Sequence, residues 1–210
     1  AARVGPAAHA FLSSPGAAKW YKANGHISRQ RLELRVEAGA SLEWMPQESI
    51  FFDHAHVALE QDISLAADAS FIGCEILCLG RRASGESFSA GRITQRTRIL
   101  RDDKLIWYEQ GALEGGGEML RSPFGWNGRS VCATLIAVGR PASAALLAHL
   151  REVDIDCADQ FGVTQMKGVL VARHLGDDSE RARLAMLAVW RRLRPFLLER
   201  EAQVPRIWNT

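Results

Sequence analysis

From Gln30 to Glu37 the chain alternates without interruption: Leu32, Leu34 and Val36 share one face, and Arg31, Glu33, Arg35 and Glu37 share the other. A period of two is the mark of a strand with one buried face. Gly39 predicts a turn into the apolar run Leu42 to Met45, which Pro46-Gln47 ends before a second run, Ile50 to Phe52. Proline cannot donate to a sheet ladder, so this stretch predicts a strand, a corner and a strand. Alternation resumes with Val57, Leu59, Ile63 and Leu65 opposite His56, Ala58, Glu60, Asp62 and Ser64. Phe71 to Leu79 is almost continuously apolar, as in a strand buried on both faces. Ile93 to Leu100 and Leu105 to Tyr108 flank the polar Arg101-Asp102-Asp103-Lys104 as a hairpin does. Closely spaced turns of this kind predict an all-β body. The glycine-rich stretch Glu114 to Glu118 predicts a loop, since no Gly-Lys-Ser/Thr follows to make it a phosphate cradle.

After a further strand, Val131 to Val138, the pattern changes. Pro141 to Glu152 is rich in Ala and Leu and predicts a helix with Pro in its first turn. Val163 to His174 predicts one more strand, interrupted by Gly168. Asp178 to about Leu198 predicts a long packing helix with an apolar stripe of Leu184, Leu187, Trp190, Leu193 and Leu197. Asp177, three residues before Glu180, is the expected cap, and Pro195 is expected to kink or end the helix near Arg194. The polar tail carries Pro205 and an exposed-looking Trp208, a candidate partner contact.

Composition narrows the function classes. A chain of 210 residues suits a single domain spanning 1–210, with a β body over about 1–140 and an α+β part over about 141–210. Twenty-six Lys and Arg against 24 Asp and Glu leave no field strong enough to make nucleic acid or an anionic membrane the main partner. No apolar run approaches the roughly 18 residues of a membrane span. Four scattered cysteines are no disulfide framework, and a reducing cytoplasm fits them best.

Few residues point to chemistry. Cys74 and Cys78 would be too far apart along a strand to share an ion, so both are assigned to the core, as are Cys132 and Cys157. His54 and His56 would face the same way on a strand beside Asp53, where a metal could sit between them, although histidines on an exposed strand face are ordinary. No Gly-x-Ser-x-Gly elbow or Cys/His signature supports a nucleophile. Glu75 and Glu109 stand out because each interrupts or follows an apolar run, where an ionised carboxylate is costly unless it is paired or lines a wet cavity. Pairing with an arginine such as Arg81 or Arg96 is one reading, and a functional cavity is the other. Glu43 and Glu48 are weaker candidates. Trp44, Trp107, Trp126 and Trp190 are assigned to the core.

Four blocks carry a family resemblance: Pro15-Gly16-Ala17-Ala18-Lys19-Trp20-Tyr21; Leu42-Glu43-Trp44-Met45-Pro46-Gln47-Glu48-Ser49-Ile50-Phe51; Leu77-Cys78-Leu79-Gly80-Arg81 with Gly85-Glu86-Ser87-Phe88; and Pro205-Arg206-Ile207-Trp208-Asn209-Thr210. In this order they resemble the UreD (UreH) urease accessory proteins. The resemblance implies a mainly β, stacked, β-helix-like body of two strand layers with two helices in the C-terminal third. It also implies a longer amino-terminal region than this chain contains. By the same resemblance the protein is a non-enzymatic maturation scaffold that docks on apo-urease with UreF and, through UreF, the GTPase UreG. Its metal is a transient Ni²⁺ in passage, with no tightly bound cofactor, and Glu75 and Glu109 become candidates for the nickel route. The alternative from another class is a β-solenoid-like carbohydrate-binding or carbohydrate-active protein, which needs paired carboxylates or an aromatic platform in a cleft.

Overall fold

The computed structural model describes residues 1–209. The chain winds back and forth between two sheets. β1 (Ala2–Val4), β4 (Ser28–Val36), β7 (His56–Leu65) and β9 (Arg92–Arg101) run parallel in the first sheet, which β10 (Lys104–Glu114) closes antiparallel to β9. Between these passes the chain crosses to the second sheet, where β2 (His9–Leu12), β5 (Ser41–Trp44) and β8 (Ser70–Leu79) are also parallel. β3 (Ala18–Trp20) and β6 (Ser49–Phe51) make a second parallel lane beside β8. This is a stacked, two-layer β-helix-like body, and among the described residues no barrel closes.

The sequence pattern explains the stacking. The inward residues of successive coils fall in register, Leu34 beside Ile63 and Ile63 beside Ile99, so each coil buries its apolar face on the one before. The outward face pairs charge with charge: Arg31, Glu60 and Arg96 form one row, and Glu33, Asp62 and Arg98 form the next. Pro46 divides one lane into two. β5 pairs with Ser70 to Gly73 of β8 and β6 with Leu77 to Leu79, leaving the stretch around Glu75 without a neighbour on that edge.

Beyond β8 the second sheet turns antiparallel, through β11 (Val131–Val138), β13 (Val169–Gly176) and β12 (Gln160–Met166). A single helical turn, α1 (Glu118–Arg121), follows β10. Two longer helices, α2 (Ala144–Arg151) and α3 (Ser179–Leu198), cover the outer face of the second sheet, so that Ile72, Cys74, Ile76 and Cys78 pack with Met186, Trp190 and Leu193.

Several details differ from the sequence pattern. Val163 to His174 is not one strand but the hairpin of β12 and β13, turning at Lys167 with φ 55. The cap of α3 is Asp178, whose Oδ1 accepts from the N–H groups of Glu180 and Arg181 at 2.8 and 3.1 Å. Asp177 instead accepts from the Ser130 N–H and hydroxyl and pairs with Arg129. Helix α3 runs through Pro195 to Leu198, because the carbonyl of Arg191 that loses its donor lies on the exposed side and the last turn is closed by Glu199 N–H to Pro195 O. Leu184 of the expected stripe is exposed. In α2, Pro141 precedes the cap, which is Ser143.

Candidate functional site, an inter-sheet cavity with a polar row

Between the sheets the apolar core is in two parts. One is built around Leu34, Val36, Ile63, Leu65, Phe71 and Ile99. The other is built around Phe51, Val57, Leu59, Leu77, Leu79 and Ile93. The strands are continuous across this division, so the side chains make it. In the second sheet Glu75, Thr134, Arg173 and Gly162 are register neighbours. In the first, Gln61, Thr97 and Glu109 are neighbours, and Leu59, Gln95 and Gly111 form the adjacent row.

Glu75 is the centre of this polar layer. Its carboxylate accepts from the Nε2 of Gln95 at 2.5 Å and from the Nε2 of Gln61. Burial pushes its pKa up to about 7; the two amide donors oppose that shift, and the charge of Glu109 adds to it. Neither Arg81 nor Arg96 reaches it, since Arg81 pairs with Glu86 and Arg96 with Asp62 and Glu60. Glu109 pairs with Arg173 across the gap between the sheets.

Around these groups lies a cavity of about 610 Å³, lined among others by Glu75, Gln95, Glu109, Thr134, Arg173 and Trp126. Its width has a local cause: at Gly111 and Gly162 an added Cβ would meet no atom within 4 Å. Glu75 also lines a second, inner cavity of about 20 Å³ with Gln61, Thr97, Thr134 and Trp44, roughly the size that admits one water. The carboxylate therefore stands on a wall common to both spaces. Glu75 and Glu109 were legible in the sequence, whereas Gln61, Gln95, Thr97, Thr134 and Arg173 were not. Gln61 did leave a trace, because it occupies an inward position in the alternation Val57, Leu59, Ile63, Leu65.

The other candidates resolve differently. His54 lies in the turn before β7 with φ 62 and contacts Asp53, so it does not share a strand face with His56. Among the described residues no cluster of three or more His, Cys, Asp and Glu is placed to hold a metal. Cys74 and Cys78 point into the core beneath α3, and burial raises both thiols, that of Cys78 to about 12. Glu43 is fully buried, held by Trp190 Nε1 at 2.6 Å, by Arg194 Nη2 at 2.9 Å and by His9 Nε2 at 2.8 Å. It fastens α3 to the strand body. Trp208 is half-buried and packs on the start of the chain: its Nε1 donates to Ser13 Oγ at 2.7 Å and its ring lies 6.0 Å from Phe11. Thr210 and the side chain of Asn209 lie outside the described residues.

A family profile described as UreD urease accessory protein matches residues 1–209. A protein of Janthinobacterium sp. (strain Marseille) named Urease accessory protein UreD is 56% identical over 211 residues, covering 100% of this chain and 71% of its own length. A protein of the same name from Nitrosospira multiformis is 50% identical, over 99% of this chain and 75% of its own. A third, from Pseudomonas aeruginosa (strain PAO1), is 46% identical over 99% and 73%.

Proposed function

Since the chain belongs to the UreD family of urease accessory proteins, we propose that it is a cytoplasmic, non-enzymatic scaffold of urease maturation and that Ni²⁺ passes through its inter-sheet cavity. In this reading it docks on apo-urease with UreF and, through UreF, with UreG, and the metal is cargo in transit. The observation that carries the nickel step is Glu75: a carboxylate set between two apolar half-cores, on the wall between an open cavity and an inner one.

The donor set suits passage. Glu75 and Glu109 supply carboxylate oxygens, Gln61 and Gln95 amide oxygens once their side chains turn, and Thr97 and Thr134 hydroxyls. Hard, neutral oxygen donors around few carboxylates hold a divalent ion weakly and leave part of its water shell in place. Thiolates would trap it, but Cys74 and Cys78 face the other side of the sheet, and Cys132, which does line the cavity, is held in its thiol form by burial that raises its pKa. The carbohydrate alternative is not favoured, because family membership points elsewhere and Glu109 is engaged by Arg173.

Two substitutions test the route from independent directions. Glu75→Gln removes the charge and leaves the shape, whereas Gly111→Leu fills open space and leaves every charge. Both should lower the nickel content of co-expressed urease while complex yield holds and melting temperature does not fall. Normal nickel content in a well-folded double variant would end the route.

A further inference from the structure

Three of the blocks read from the sequence meet at one end of the strand body. Trp20 pairs with Phe51 in register and their rings stack at 6.1 Å. The Tyr21 ring meets Phe52 edge-on at 4.8 Å, and the Arg81 guanidinium lies 4.5 Å over the same Phe52 ring. Arg81 is itself held: Glu86 accepts from its Nη2 at 2.6 Å and from the N–H groups of Asp53 and Arg81. Gly80, with φ 77, lets the Glu86 carbonyl approach where a Cβ would sit 2.5 Å from it. The platform is thus rigid, yet Tyr21 is 65% exposed on top of it.

The charge around it is one-sided. No acidic residue precedes Glu33, while Lys19 and Lys22 flank Trp20 and Tyr21, and Arg82 follows Arg81. All three are exposed, and none has an ion-pair partner among the described residues. The carboxylates that do lie here face inward. Glu86 serves Arg81, and Asp53 is held by the N–H groups of Ser89 and Ala90, which outweigh its burial and bring its pKa down to about 2. On the outer face of the first sheet, by contrast, Arg96 and Arg98 are both paired with Asp62.

From this juxtaposition we infer that the rim formed by Tyr21, Lys22, Phe52, Arg81 and Arg82 is a docking surface for a protein partner that presents carboxylates around an apolar side chain. A held aromatic with a fixed arginine loses little side-chain freedom on binding, and unpaired cations beside it steer an acidic surface onto it. The inference rests on the scaffold reading, and the occupant it commits to is an acidic face of the urease apoprotein.

The test immobilises this chain and measures association with urease apoprotein over a range of salt concentrations. Lys22→Glu/Arg82→Glu should slow association roughly ten-fold at low salt and flatten its salt dependence, because both cations act in steering. Tyr21→Ala should leave association nearly unchanged and hasten dissociation. A control reversal at the opposite end of the strands, Lys104→Glu/Lys167→Glu, changes net charge equally and should do neither. Equal slowing in both reversals, or none in the first, overturns the rim while leaving the scaffold reading in place. So does a loss of self-association in Lys22→Glu/Arg82→Glu with urease binding unchanged, which would make a second copy the occupant. If the unmodified chain fails to bind urease apoprotein, the scaffold reading fails and the rim fails with it.

Discussion

The second sheet has two buried faces built on the same strands, and they are sealed to different degrees. Toward the helices, β8, β11 and β13 present Ile72, Ile76, Val131, Leu135 and Leu170 to Trp190 and Met186 in one continuous apolar layer. Toward the first sheet the same strands present Glu75, Thr134 and Arg173 between apolar ends, and space remains there. Each face also carries a carboxylate. Glu43 on the helix side is enclosed by cationic and N–H donors, whereas Glu75 on the sheet side has only two neutral amides and a cavity. Burial alone therefore does not distinguish a lock from a passage. The partner does, since a charge neutralised by a guanidinium holds two elements together and a charge left beside water-sized space remains able to meet a cation.

Removing the lock should have the largest effect. Glu43→Gln leaves the Arg194 guanidinium, 11% exposed, without its counter-ion, at a cost of about 3–5 kcal/mol in chemical denaturation. Replacing both partners, Glu43→Leu with Arg194→Met, should recover much of that loss, because no charge is stranded. If the double variant is as unstable as the single one, the helix side depends on packing at this point and not on the pair.

The sheet side sharpens the contrast through pH. Glu75 is raised from 4.5 to about 7 on folding, so the folded protein binds its proton more tightly than the unfolded chain does. Its contribution to stability is accordingly present below pH 4.5 and is lost as pH rises toward 7. The full shift corresponds to on the order of 3 kcal/mol, less whatever cavity water returns by solvating the ion. Stability of the parent should fall relative to Glu75→Gln across that window. Parallel pH profiles for the two proteins would mean that Glu75 is ionised without penalty.

How far the chain could be read follows from the same distinction. Strand periodicity is local, so β4, β7, β8 and the β9–β10 hairpin were legible, and the buried anomaly of Glu75 was legible as a charge in an apolar run. What surrounds Glu75 is set by register across two sheets, which no local pattern records: Gln95 and Thr97 look like any polar residues on an amphipathic strand until β7 and β9 are aligned. Turns were misplaced where the residue is atypical. Gly168 drew attention, while the left-handed position belongs to Lys167. Trp208 looked exposed because its partners, Phe11 and Ser13, lie nearly the whole chain away.

That tail gives the next effect in size. Truncation after Gln203 removes the Trp208 contact with Phe11 and the bond to Ser13, and should lower stability by about 2 kcal/mol, as for loss of a half-buried aromatic and one hydrogen bond. Binding to the accessory complex should weaken no more than stability does; selective loss of binding would return Trp208 to the partner surface. Capping is smaller still. Asp178→Ala should cost about 1 kcal/mol by releasing the Glu180 and Arg181 N–H groups, whereas the same change at Asp177 acts through Ser130 and Arg129 and leaves α3 helicity untouched.

The smallest effect is expected at Glu109, and it isolates what kind of space the cavity is. Its pair with Arg173 bridges the two sheets at the open side, with side chains 39% and 49% exposed. Water there screens the attraction, so a double-mutant cycle over Glu109→Gln and Arg173→Gln should give a coupling of less than about 1 kcal/mol that shrinks further in salt. A coupling of several kcal/mol, insensitive to salt, would mean that the pair is a second lock like Glu43 and Arg194 and that the sheets are clamped shut at this edge. Under the weak-pair outcome Glu109→Gln should hardly move melting temperature yet still reduce nickel content of urease, because the carboxylate acts on a passing cation and not on the fold. Low nickel with normal stability at Glu109, set against low stability at Glu43, separates the wet face of the sheet from the sealed one by measurement.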